Sequence, residues 1–278
     1  MEKKILLSDC PDDQGLIAKI TNICYKHQLN IMHNSEYVDH STGQFFMRTE
    51  LEGVFNDETF LVDIDQTLPV GSHRSLVNAN RRQRIVILVT KESHCLGDIL
   101  MKTYDGSYNI DIAAVISNYN TLATLTEKFD IPFYFVSHEG LTHEEHDKKV
   151  VKIIDSYTPE YIILAKFMRV LTPNFVGSYP RRIINIHHSF LPAFLGARPY
   201  HQAYKRGVKI IGATAHFVTN NLDEGPIIDQ NIKHVDHTFS SEDMVKVGRD
   251  VEKTVLSTAL SLVLEDKVFV YGNKTVIL

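Results

Sequence analysis

Two textures of hydrophobic patterning divide the chain near residue 80. In the first, "KKILLSD" reads as a strand, and Leu16, Ile17, Ile20, Ile23 and Cys24 fall on one stripe of an amphipathic helix predicted over Gln14 to His27. "NIMHNSEYVD" and "QFFMRTEL" read as strands joined through the turn signal "HSTG". "NDETFLVDIDQTL" reads as a second helix with Asn56 as its cap, and residues 72 to 78 supply a last strand. The order βαββαβ predicts a ferredoxin-like unit. Nothing in it looks catalytic.

From Ile85 onward, buried runs alternate with helical patterns. "RIVILVT", "NIDIAAVISN", "IPFYFVS", "YIILAKF" and "RIINIHHS" read as strands, with helices such as "THEEHDKKVVKIIDSY" between them. Continuous apolar strands separated by helices predict an α/β domain with a doubly wound, mostly parallel, Rossmann-like sheet. A long helix from about Ser241 to Glu265 and a hairpin around "YGNK" close the chain. The polar stretch "NANRRQR" reads as a linker, which gives domains 1–80 and 81–278.

Composition narrows the function classes. A formal charge of −5, with basic residues scattered apart from "NRRQR", argues against a nucleic-acid surface. The first residues, "MEKKILLSDC", are too soon charged for a signal peptide, and no apolar run reaches membrane-spanning length, so a cytoplasmic protein is expected. Three Cys (Cys10, Cys24, Cys95) without a CxxC pair predict buried thiols rather than a disulfide framework or a zinc site. "VTKESHCLG" stands after the first strand of the second domain, where a dinucleotide cofactor would need GxGxxG. "HEEH" at 143 to 146 has its His residues three apart, not the four of a zinc protease, and reads as a helix start.

The chemistry concentrates in two polar strand ends. In "IINIHHSFLPAFLGARPYHQ", Asn185, His187 and Ser189 occupy alternate positions, so in an extended segment they share one face. His188 is expected to point the other way and act as structural support. "GATAHFVTNNLDEGPII" adds His216 and Asp223 before a Gly-Pro stop. An amide to donate to an oxyanion, an imidazole to carry a proton and a carboxylate to set its pKa are the parts for hydrolysing or transferring an acyl group.

Two resemblances follow from these residues. "CPDDQGLIAKITNICYKHQLNI" resembles the opening of an ACT domain, which implies amino-acid binding near Asp12, Gly15 and Leu16, with glycine or methionine as candidate effectors, and a homo-oligomer. The pattern N-x-H-x-S-x-L-P with the later "LDEGPI" resembles the folate-dependent formyltransferase superfamily. The resemblance implies Asn185, His187 and Asp223 as the catalytic set. It also implies a folate pocket formed by Met168, Arg169, Val170 and Leu171 of "LAKFMRVLTP", with His216 beside it. Bulky and charged residues of "TKESHCLG" replace the Gly-rich phosphate cradle of the ribonucleotide-accepting branch, with Lys91 and His94 at that position. An ACT module ahead of such a domain, with "HCLGDIL", "VSHEGL", "HHSFLPAF" and "VFVYGNKTVIL", is similar to the branch in which water accepts the formyl group of 10-formyltetrahydrofolate. Formate would then feed purine biosynthesis, folate would be substrate, and no further cofactor or metal is implied. An amine-accepting transferase and a regulatory binder without turnover stay open as other classes.

Overall fold

The computed structural model describes residues 1–193 and 199–278; part of the quoted "HHSFLPAF" and the stretch after it lie outside these. The chain divides into two compact units. The first comprises Met1–Arg81 with Leu262–Tyr271 and Val276–Leu278, and the second Arg82–Ser261 with Gly272–Thr275.

The first unit runs β1 (Glu2–Pro11), α1 (Leu16–Lys26), β2 (Asn30–Asp39), β3 (Gln44–Gly53), α2 (Asp57–Thr67) and β4 (His73–Asn78). Its sheet is ordered β2-β3-β1-β4 and antiparallel throughout, the ferredoxin-like arrangement expected from the pattern. Leu6, Leu16, Ile20, Phe45, Met47 and Phe60 meet in its core. Asn56 caps α2 by accepting from the Thr59 N–H. The first helix starts at Leu16 rather than Gln14, because Gly15 takes a left-handed φ of 80° that halts the turn ahead of it.

One division differs from the sequence reading, which placed everything after residue 80 in the second domain. The stretch Leu262–Tyr271 belongs with the first unit. There the Arg48 guanidinium, 3 % exposed, donates to the backbone carbonyls of Glu265 and Asp266, and Phe46 meets Phe269 edge-on at 5.7 Å. Residues Gln44 to Thr49 of β3 are consequently buried on both faces.

In the second unit the order is β5 (Gln83–Val89), α3 (His94–Tyr104), β6 (Ile110–Ser117), α4 (Ala123–Glu127), β7 (Phe133–Phe135), α5 (His143–Tyr157), β8 (Tyr161–Leu164), α6 (Pro173–Ser178), β9 (Ile183–His187), α7 (Pro199–Arg206), β10 (Ile210–Phe217), β11 (Ile227–His234) and α8 (Ser241–Leu264). A hairpin of β12 (Val268–Tyr271) and β13 (Lys274–Ile277) ends the chain. The sheet order is β11-β10-β9-β8-β5-β6-β7. Strands β5 to β9 pair in parallel, while β10 and β11 add an antiparallel edge. Burial of Ile85 to Val89 on both faces explains the unbroken apolar run of β5. The chain builds outward from β5 through β6 to β7, then crosses to the other flank through β8 to β9. Such a reversal opens a crevice at the carboxyl ends of the parallel strands.

Candidate active site

The carboxyl ends of β8 and β9 and the loop after β10 line one cavity of about 420 Å³. Asn185, His187, His216 and Asp223 all border it, as do Met168, Arg169, Val170 and Leu171. Pairing in the sheet brings the first set together: Asn185 on β9 stands opposite His216 on β10. Asp223 comes from the loop that follows, at a left-handed φ of 56°. Gly225 lets that loop fold back, since a Cβ there would lie 1.8 Å from the Phe217 carbonyl oxygen.

Hydrogen bonds assign the tautomers. His216 Nδ1 lies 2.9 Å from the Phe217 carbonyl, which can only accept, so Nδ1 carries the proton. Its Nε2 therefore accepts from the Asn185 amide Nδ2 at 3.2 Å. Burial holds the His216 imidazole below its ordinary pKa, partly countered by the Phe217 carbonyl and Asp223. A neutral His216 thus fixes the Asn185 amide and leaves its second N–H for the cavity.

His187 Nδ1 lies 3.4 Å from Asp223 Oδ1, and the carboxylate accepts. Burial alone would raise the Asp223 carboxyl, but His187 and the neighbouring imidazoles outweigh it and hold the group below the usual carboxylate value. His187 Nε2 is buried and has no hydrogen-bond partner among the described residues. A buried imidazole nitrogen without a partner, in a cavity wall, with a carboxylate on the opposite nitrogen, is poised to exchange a proton with a bound molecule.

The model of the formyl transferase family matches residues 83–260. The formyltetrahydrofolate deformylase of Escherichia coli (strain K12) is 66 % identical over 278 residues, covering 100 % of this chain and 99 % of that protein. The chain belongs to the formyl transferase family. Within that family, a crystal structure of a formyltetrahydrofolate deformylase from Pseudomonas syringae pv. tomato superposes with a TM-score of 0.95 at 39 % identity, covering 100 % of this chain and 94 % of that one. A glycinamide ribonucleotide transformylase 1 from Symbiobacterium toebii reaches a TM-score of 0.68 at 28 % identity, covering 71 % of this chain and 94 % of that one.

The cavity has a wall that sequence patterns alone left undefined. The segment from Lys166 to Thr172 has no regular hydrogen-bonded structure, and four contacts pin it. Lys166 pairs with Glu252, the Met168 N–H donates to Thr90 Oγ1, His143 Nδ1 donates to the Val170 carbonyl, and the Thr172 N–H donates to Asp147. Met168 and Val170, both apolar, are more than half exposed and border the cavity.

Some assigned residues sit otherwise than the sequence suggested. His216 borders the cavity, and both its ring nitrogens are engaged within the protein, one of them accepting from the Asn185 amide. His188 also lines the cavity, because β9 ends at His187 and strand alternation stops there. Its ring lies 5.0 Å from that of His187. Burial, with the charges of Lys166 and His187, lowers its pKa to about 4, so it is neutral near pH 7. Ser189, buried, borders a separate small pocket and not this one. Lys91 lies over the Tyr119 ring at 4.0 Å, and His94 turns to Glu252. In the first unit, Asp12 and Gly15 are at the surface, but Leu16 is a core residue whose side chain is unavailable to a ligand. "HEEH" opens α5 with a capping box from Thr142, and His146 is held by the Val136 carbonyl. The three Cys are buried free thiols.

Proposed function

We propose that the protein hydrolyses 10-formyltetrahydrofolate to tetrahydrofolate and formate. The observation that carries this reading is the unpartnered His187 Nε2 in the cavity wall, backed by Asp223 on Nδ1. Supporting it, the two formyltetrahydrofolate deformylases named above align over the whole length of the chain. Water attacks the formyl carbon as Nε2 takes its proton, and the Asp223 carboxylate stabilises the imidazolium. The free N–H of the Asn185 amide meets the oxyanion of the tetrahedral intermediate. The C–N bond then breaks while Nε2 returns its proton to the departing arylamine nitrogen. Met168 to Leu171 form the folate-facing wall, and the chemistry calls on no metal or second cofactor.

The first unit is the regulatory part of this proposal. The α1 N-terminus has no side-chain cap, so its backbone N–H groups, beside Asp12 and Gly15, are open to an amino-acid carboxylate such as that of glycine or methionine. Assembly as a homo-oligomer, a cytoplasmic setting and supply of formate for purine biosynthesis complete the reading. Among the described residues no helix is long and apolar enough to cross a membrane.

One assay tests it: formate and tetrahydrofolate are followed from 10-formyltetrahydrofolate, with and without glycinamide ribonucleotide, and with glycine or methionine titrated in. Formate equal to tetrahydrofolate, unaffected by the amine, is the expected result. Formylated amine at a rate comparable with formate would make the protein a transferase. Indifference to every amino acid would leave the first unit without a regulatory role.

A further inference from the structure

A second polar cluster lies in the same unit, outside the catalytic set. Glu252 on α8 is 1 % exposed. Its carboxylate accepts from His94 Nε2 at 2.6 Å, from Tyr200 Oη at 2.7 Å and from Lys166 Nζ at 3.2 Å. The three donors come from three elements: the start of α3, the turn after β8, and α7. Burial would raise the Glu252 carboxyl, but His94, Lys166 and Tyr200 outweigh it and lower its pKa to about 2. One turn earlier on α8, Gly248 makes room for the Tyr200 ring; a Cβ there would lie 2.2 Å from Tyr200 Cζ. Although His94, Cys95 and Glu252 bring metal-ligand atoms within 4.8 Å of one another, the Lys166 ammonium already balances the carboxylate.

Lys166 is the informative member. It is 4 % exposed, stands at a left-handed φ of 64°, and begins the segment whose next five residues run along the cavity. A non-glycine residue in that conformation is held by its surroundings rather than by its own preference. A buried ammonium on a strained turn is costly unless paired, and Glu252 is the partner.

We infer that Glu252 is a positioning residue for substrate: through Lys166 it fixes the turn from which Phe167 to Leu171 line the folate-facing wall, and through His94 and Tyr200 it ties α3 and α7 to the same point. The inference rests on the proposed reading of the cavity and deepens it by naming what holds the wall in place. Glu252 touches none of the reacting atoms, so its loss acts on binding before it acts on chemistry.

The test compares the wild-type chain with Glu252→Gln and with the double variant Lys166→Met/Glu252→Gln, which leaves no unpaired charge and guards against misfolding of the single variant. Binding of 5-formyltetrahydrofolate, an isomer with no formyl group on N10, is measured by calorimetry, and turnover of 10-formyltetrahydrofolate by formate release. Both variants are expected to bind the isomer about 10-fold more weakly and to raise KM about as much, with kcat within about 3-fold, since a displaced wall costs affinity first. The double variant should bind as weakly as the single, because both remove the same link between Glu252 and Lys166. Wild-type affinity in Glu252→Gln overturns the inference, and so does recovery of affinity in the double variant, which would show that only charge burial mattered. Wild-type binding of the isomer without formate release would overturn hydrolysis and leave the positioning role standing. No binding by the wild-type chain would overturn both.

Discussion

Two buried polar clusters of the second unit use similar residues to opposite ends. Around Glu252, His94, Lys166 and Tyr200 all converge on a carboxylate that is 1 % exposed and closed off from a visitor by these three donors. Around Asp223, the carboxylate meets His187 at a looser 3.4 Å, and His187 Nε2 has no partner among the described residues. A satisfied network rigidifies, whereas one with an open donor or acceptor is available to a substrate. The difference separates the cluster that holds the cavity's shape from the cluster that works within it.

The sharpest way to break this contrast is Asp223→Asn. The amide cannot stabilise the His187 imidazolium, so turnover should fall by about 10³ or more while affinity for folate changes only a few-fold. A kcat near wild type in the formate assay would place the chemistry elsewhere. Asn185→Ala should cost about 10² to 10³ in kcat through loss of one oxyanion donor. Replacing His216 by Phe frees the Asn185 amide to rotate without deleting it, so its kcat should lie between wild type and Asn185→Ala. A loss larger than that of Asn185→Ala would mean that His216 touches the substrate itself.

The smallest effect concerns acid stability. His188 has its pKa lowered to about 4 in the folded chain, against an ordinary value of 6.5. Below 6.5 the unfolded chain therefore binds the extra proton first. The stability tied to a neutral His188 is fully present above 6.5 and is lost as pH falls through 4, up to about 3 kcal/mol. Asp223, also depressed, adds to the loss further down. Denaturant midpoints measured from pH 7 to pH 4 should fall less steeply in His188→Gln than in the wild-type chain; parallel curves would remove His188 from the account.

Much of this was legible in the chain. Alternation and apolar runs located both sheets, and "QFFMRTEL" and "NDETFLVDIDQTL" fell within a few residues of β3 and α2. The wall segment gave no periodicity to read, because four scattered side chains and backbone groups hold it rather than a helix or ladder. Strand alternation also misled at His188, since it applies only while the strand lasts.

Where the sequence suffices, the cause is local: a strand or helix shows its burial in its own repeat, and residues two apart on a strand, such as Asn185 and His187, must share a face. Tertiary structure alone decided the rest. "QFFM" already showed no alternation, yet only the return of Leu262–Tyr271 to the first unit reveals what covers its second face. His216 could be placed beside Asn185 only by the antiparallel pairing of β10 with β9, and its tautomer only by the Phe217 carbonyl. Glu252, far along the chain in α8, gave no motif, because a buried carboxylate acquires its meaning from donors contributed by three other elements, and the chain's order carries no record of which of them will meet.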